Sequence, residues 1–125
     1  MLKVCKFGGT SLADAAQVGK VCDIVLADSD RRIVVVSAPG KRSRQDTKVT
    51  DLLIDCAKRA LAGESTEAAL GAIVARYAEM QRALALDAGI VAEIEADLRR
   101  RLAGRQDHSG MFLDAMKAAG EDYSA

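Results

Sequence analysis

The run Ile33-Val34-Val35-Val36 constrains this chain more than any other feature. Consecutive β-branched residues pack well on a pleated surface, and without polar alternation they predict a strand buried on both faces, as in a parallel sheet. Upstream, Leu2 to Phe7 alternates loosely between apolar and basic side chains and stops at Gly8-Gly9, which predicts a first strand and a turn. Between them, Val18, Val21, Cys22, Val25 and Leu26 form the stripe of an amphipathic helix ending near Asp28. Ser11 is expected to cap that helix, with Asp14 three residues on as a weak capping box. Strand, helix, strand makes a βαβ unit. A right-handed crossover would bring the strand ends, Phe7 and Ser37, to one sheet edge, where open α/β sheets bind ligands.

After this unit the pattern turns helical. Ala38-Pro39-Gly40 breaks the second strand, and Lys41 to Lys48, with four basic residues, reads as a solvated loop. Val49 to Leu61 then presents Leu53, Cys56, Ala57, Ala60 and Leu61 on an inner face, and Gly63 stops it. Ser65 or Thr66 begins the next helix, striped by Leu70, Ile73, Val74, Tyr77 and Met80. Ile90, Ile94, Leu98 and Leu102 stripe its partner in a helical hairpin ending at Gly104. Phe112, Leu113 and Met116 mark a last helix expected to end around Gly120-Glu121. Two strands alone rarely make a stable sheet, so both need further neighbours.

Composition narrows the function classes. With 125 residues the chain fits one domain or part of one, and a chain of that size buries roughly two-thirds of its unfolded surface. Two Phe, two Tyr and no Trp leave the core to aliphatic side chains. Lys plus Arg equal Asp plus Glu at 18 each, which removes the net-charge argument for nucleic acid; any anion site must be local. No apolar stretch approaches a membrane span. Cys5, Cys22 and Cys56 form no CxxC pair and read as buried, reduced thiols, and the chain reads as cytoplasmic. His108 has no partner at metal-ligand spacing and reads as a cap or surface residue, so no metal ligands are assigned. Arg99, Arg100, Arg101 and Arg105 suit a helix C-terminus.

The segment with chemistry in it is Lys3 to Ser11. It sets a lysine at a strand end, two glycines in the turn, and Thr10 and Ser11 at the start of a helix. Each part suits a phosphate: glycines let the backbone approach with its N–H groups exposed, and an ammonium balances charge on transferring oxygens. An ordinary strand-to-helix turn, with Gly8 and Gly9 present only for conformation, explains the same residues. A Walker A loop is excluded because Val35 and Arg42 stand where glycine and a hydroxyl are required, and the GxGxxG spacing is absent.

Val4-Cys5-Lys6-Phe7-Gly8-Gly9-Thr10-Ser11-Leu12 resembles the opening signature of aspartokinases, members of the amino-acid kinase superfamily. Val34 to Ala38 followed by Gly40 is similar to that family's second motif, Val49-Thr50-Asp51-Leu52-Leu53 to the helix start after it, and Gly120-Glu121 to a Gly-Glu pair that precedes a helix. The resemblance implies an α/β chain, the N-terminal part of a three-layer α/β/α kinase fold, that phosphorylates the aspartate β-carboxylate with ATP and Mg2+ for lysine, threonine and methionine synthesis. It implies that Lys6 steadies the transferring phosphoryl group and that Gly8, Gly9, Thr10 and Ser11 line the phosphate turn. Ser37 and Thr50 would then hold aspartate, with Glu121 at its α-ammonium. Ala118 departs from the serine common in relatives before the Gly-Glu pair.

The family continues into an arginine-glycine motif, adenine-binding residues and usually ACT regulatory domains, and its intact members are expected to be homo-oligomers. Residues 1–125 are therefore expected to be a partial catalytic domain, from a truncated chain or an incomplete gene product, inactive alone. Two other readings stay open: a non-catalytic phosphate-binding or assembly module, and another amino-acid kinase of the superfamily.

Overall fold

The computed structural model describes residues 1–104 and 106–125; Arg105, grouped above with the helix-terminal cations, lies outside the described residues. Strand β1 (Lys3–Lys6) leads through a 3-10 turn (Gly9–Leu12) to helix α1 (Ala15–Leu26) and strand β2 (Arg31–Val35). Four helices follow: α2 (Val49–Leu61), α3 (Glu67–Ala83), α4 (Gly89–Leu102) and α5 (Ser109–Ser124). The strands pair in parallel, Lys6 opposite Val35, with an irregularity between Lys3 and Val4. The predicted βαβ unit and helical hairpin are both present.

The buried core belongs almost entirely to the helices after β2. Val49, Leu53, Cys56 and Ala57 of α2 meet Leu70, Ile73 and Tyr77 of α3, Ile94 and Leu98 of α4, and Phe112, Met116 and Ala119 of α5. The inner faces read from the sequence thus pack in this core, apart from Ile90, which is 39% exposed. Helix α2 ends as predicted at Gly63, whose φ of +72° is the left-handed conformation glycine tolerates. There the Gly63 N–H donates to the Ala60 carbonyl and the Glu64 N–H to that of Arg59, two bonds that occupy carbonyls the helix end would leave unpaired.

Four sequence expectations need correction. Strand β2 is not buried on both faces: Ile33, Val34 and Val35 are 46%, 40% and 43% exposed, because a two-stranded sheet supplies too few neighbours to cover them. Of the α1 stripe only Val21 is fully buried, while Cys22 is exposed and Leu26 is 82% exposed. That helix packs mainly against the 3-10 turn, β2 and α3, which do not cover five positions. Ser11 does not cap α1; Asp14 does, its carboxylate accepting the Gln17 N–H at 2.9 Å. Finally, Gly120-Glu121 does not end a helix. Helix α5 runs through it, and the glycine is there because a Cβ at residue 120 would lie 2.4 Å from the Ala38 Cβ.

The cysteines are free, and only Cys56 is fully buried, its thiol pushed up by burial. His108 is exposed at the start of α5 and gives no side-chain cap. The arginine run does more than complement a helix end. Arg99 pairs with Glu67 and Glu95, and Arg101 with Asp97 and Asp122, joining α4 to α3 and α5.

Candidate functional site

Of the predicted site residues, Lys6, the turn from Gly8 to Ser11 and Ser37 lie at or just beyond the C-terminal ends of the two strands, Thr50 lies in the first turn of α2, and Glu121 lies within α5. Lys6 ends β1 with an exposed side chain. Beyond it the Phe7 N–H donates to the Val35 carbonyl at 2.9 Å, extending the strand pairing by one bond into the turn. Gly8 has an ordinary extended backbone (φ −78°, ψ 173°), and Gly9, Thr10 and Ser11 form the 3-10 turn, closed by the Ser11 N–H on the Gly8 carbonyl. A turn this short has no helix dipole to lend, so its attraction for an anion rests on Lys6 and single N–H groups.

Neither turn glycine is present for a left-handed backbone; among described residues only Gly63 and Ala85 have positive φ. Gly9 sits in a tight place, since a Cβ there would lie 3.1 Å from the Ala38 carbonyl oxygen. A Cβ on Gly8 would meet nothing within 4 Å. Its missing side chain leaves one side of the turn bare.

The second loop is pressed against the first. The Gly40 N–H donates to the Gly9 carbonyl at 2.7 Å, and a Cβ at Gly40 would fall 2.6 Å from the Gly9 carbonyl carbon and 2.9 Å from the Thr10 nitrogen. The Val49 N–H, opening α2, donates to the Pro39 carbonyl at 2.9 Å. Ala38, next to Ser37, is the residue that Gly120, next to Glu121, packs against. The distant motifs Ser37-Ala38, Gly40, Val49-Thr50 and Gly120-Glu121 are therefore one connected structure.

Thr50 and Glu121 share an open groove with Asp114, Lys117, Ala118 and Asp122. Lys6, Ser37 and the turn from Gly8 to Ser11 do not line that groove; the phosphate turn and the Thr50–Glu121 pair are neighbouring features joined through Ala38 and Gly40. Among the described residues no cluster of three His, Cys, Asp or Glu could hold a metal ion, and no helix is long and apolar enough to cross a membrane.

Sequence reasoning missed Arg76, the one charged residue among the described residues to be buried, at 4% exposure. Its guanidinium donates to the carbonyls of Ala13, Gly40 and Thr47 at 2.9–3.0 Å and stands 3.4 Å from the Asp46 carboxylate. Desolvation lowers its pKa from the ordinary value, and the nearby Arg42 cation adds to that, yet an arginine there remains charged at neutral pH. The signal was present: a cation three residues after Ile73 and beside Tyr77 on a buried stripe has to find carbonyls inside.

Asp46 organises the linker that had read as a solvated loop. It accepts the backbone N–H and the guanidinium of Arg42, and these bonds hold its carboxyl far below the usual carboxylate range. A depressed carboxylate stabilises the folded state above its unfolded pKa of about 3.9 and loses that contribution as pH falls through the folded value. The melting temperature should therefore fall on acidification below about pH 4, and Asp46→Asn should flatten that response while lowering stability near neutrality. Equal acid slopes for the two proteins would remove Asp46 from it.

Comparison with known proteins bears directly on these features. The family model described as "Amino acid kinase family" matches residues 1–125. The chain belongs to the amino acid kinase family. Within it, the chain is 49% identical over 124 residues to Aspartokinase 3 of Bacillus subtilis (strain 168), an alignment covering 99% of this chain and 27% of that protein. It is 41% identical over 64 residues to Lysine-sensitive aspartokinase 3 of Escherichia coli (strain K12), covering 51% of this chain and 13% of that one. Among solved structures, Clostridium acetobutylicum aspartate kinase superposes with a TM-score of 0.79 at 32% identity, over 96% of this chain and 26% of that one. E. coli aspartokinase III in complex with aspartate and ADP gives 0.78 at 32% identity, over 99% and 27%. The fold is thus that of the N-terminal part of these kinases, as the motif order implied, and the chain spans about a quarter of the length of the relatives it matches.

Proposed function

We propose that this chain supplies the phosphate turn and the acceptor-binding groove of an aspartate kinase, with residues 1–125 forming part of its catalytic domain. The observation that carries the reading is the packing of the motif segments through Ala38, Gly40 and Gly120, which seats the Gly8–Gly9 turn against the loop leading to Thr50. The similarity to aspartokinases along the whole chain supports the same assignment, as does the aspartate and ADP complex of the E. coli neighbour.

In this reading an aspartate β-carboxylate oxygen attacks the γ-phosphorus of ATP, the bond to the bridging oxygen breaks, and ADP departs with the electron pair. An acyl phosphate is left. Lys6 faces charge on the transferring group, and the N–H groups of Gly8, Gly9 and Thr10, with the Ser11 hydroxyl, face the phosphate oxygens. Ser37 and Thr50 hold the acceptor through hydroxyls or nearby amides, and the Glu121 carboxylate pairs with its ammonium. This chain contributes position and electrostatic stabilisation without a covalent intermediate. Mg2+ would travel with the nucleotide; the described residues gather no ligand cluster for it, and no step is assigned to it.

The adenine-binding half would come from the additional length the relatives have, which is also where regulatory domains would lie. The edge of β2 away from β1 is where a further strand would pair, and the exposed Ile33, Val34 and Val35 side chains are where another layer would pack. The intact protein would be a cytoplasmic homo-oligomer serving lysine, threonine and methionine synthesis. Incubating the intact protein with Mg-ATP and, in turn, aspartate, glutamate and acetylglutamate, with hydroxylamine trapping of any acyl phosphate, tests the assignment. Turnover on aspartate alone is the expected result. Turnover on another acceptor moves the chain to a different kinase of the family, and none on any acceptor leaves a non-catalytic binding module.

A further inference from the structure

We propose that Arg76 is a positioning residue for phosphoryl transfer, fixing the phosphate turn against the loop that precedes the acceptor groove. This rests on the functional reading above and adds to it a residue outside every recognised motif.

One guanidinium joins three separate pieces of chain. Its Nη2 donates to the Ala13 carbonyl at 3.0 Å, where the phosphate turn ends, and to the Gly40 carbonyl at 2.9 Å, in the loop after β2. Its Nη1 donates to the Thr47 carbonyl at 3.0 Å, just ahead of α2 and Thr50. Asp46, at 3.4 Å, supplies the opposite charge and is itself held by Arg42.

Burying a cation in this way is costly, and replacing a buried ionic group with an apolar side chain of similar volume is often neutral or stabilising. A core position needing only bulk would be better filled by leucine or methionine. What an arginine adds is a rigid planar fork whose donors address several acceptors at once, which a lysine ammonium cannot reproduce. The segments it fixes are those carrying the phosphate turn, the Ser37–Gly40 loop and Thr50. Their separation sets the distance between a phosphoryl donor at Lys6 and an acceptor at Thr50 and Glu121. In-line transfer is sensitive to that distance, with an error of about 1 Å costing roughly 100-fold.

The test uses Arg76→Lys in the intact protein, read by thermal melting, by kcat and KM for aspartate and ATP, and by backbone amide shifts of selectively 15N-glycine-labelled protein. The expected result is a folded variant with kcat reduced roughly 10- to 100-fold, both KM values within about threefold of wild type, and displaced Gly9 and Gly40 resonances. A wild-type kcat overturns the proposal, as does a loss of activity matching only the unfolded fraction. Should Arg76→Lys not fold, Asp46→Asn withdraws the counter-charge and weakens the bonds to Arg42 while leaving the guanidinium in place; a fall in kcat of at least about threefold at unchanged KM, beyond any unfolded fraction, supports the proposal, and a wild-type kcat overturns it. Failure of the underlying reading looks different: the unsubstituted intact protein would then show no turnover on aspartate, while the displaced glycine amides of Arg76→Lys would still report the clamp.

Discussion

Replacing Lys6 with alanine is expected to cut aspartate phosphorylation by the intact protein roughly 100- to 1,000-fold, the usual cost of removing one preorganised group that faces developing charge. The fold should not notice. Lys6 ends β1 with its side chain in solvent, and substitutions at such positions ordinarily change stability by less than about 0.5 kcal/mol. The informative measurement is kcat beside the melting curve. If kcat falls while the curve stays put, the lysine acts on the reaction; if turnover is retained, the assignment of Lys6 is lost however well the variant folds. Arginine at the same position keeps the charge but moves it outward on a longer, planar group, so partial recovery separates a need for charge from a need for an ammonium at that place.

Gly40→Ala is the second substitution with a large expected effect, this time on fold and site together. The added Cβ would lie 2.6 Å and 2.7 Å from the carbonyl carbon and oxygen of Gly9 and 2.9 Å from the Thr10 nitrogen. These are backbone atoms and cannot rotate away. The phosphate turn must move, and with it the 2.7 Å hydrogen bond from the Gly40 N–H to the Gly9 carbonyl. Overpacking of this kind costs about 1–3 kcal/mol, visible as a melting point lower by several degrees and accompanied by loss of turnover. Gly8→Ala is the natural contrast, because a Cβ there enters open space. It should melt like wild type yet lose turnover, since the methyl occupies the side of the turn left bare. A Gly40→Ala protein that melts and turns over normally would show that the two loops are not locked together as described.

Much of this architecture could be read from residues alone, and the exceptions have a common physical origin. A β-branched run between an amphipathic stripe and a loop of small residues leaves little choice but βαβ, and the faces of α2 to α4 followed from the spacing of their Leu, Ile and Ala residues. Local rules failed where a long-range contact decided the outcome. Gly120 looked like a stop signal because sequence does not reveal that Ala38 occupies the space its side chain would need. Ser11 and Asp14 are both plausible caps by composition; the intervening 3-10 turn moved the helix start to favour Asp14. Arg76 was passed over because an arginine within a helical stripe reads as a surface residue until its three carbonyl partners, 29 to 63 positions away, are known. The motif residues themselves were found by resemblance, and their convergence through Ala38, Gly40 and Gly120 is what the structure adds.

The division of the core has a consequence for the order in which this molecule comes apart. None of the core cluster comes from β1, α1 or β2; its members begin at Ala38 and otherwise lie in α2 to α5. Regions with few buried apolar contacts open at lower free energy than the rest, so the strand–helix–strand unit can open while the helices beyond it stay closed. The phosphate turn rides on that softer unit, and Arg76 reaches across from the harder one to Ala13. Opening at the turn is thereby linked to breaking one buried charge-assisted bond, and any surface that covered Ile33, Val34 and Val35 would stiffen the ligand-facing end of the chain from a distance.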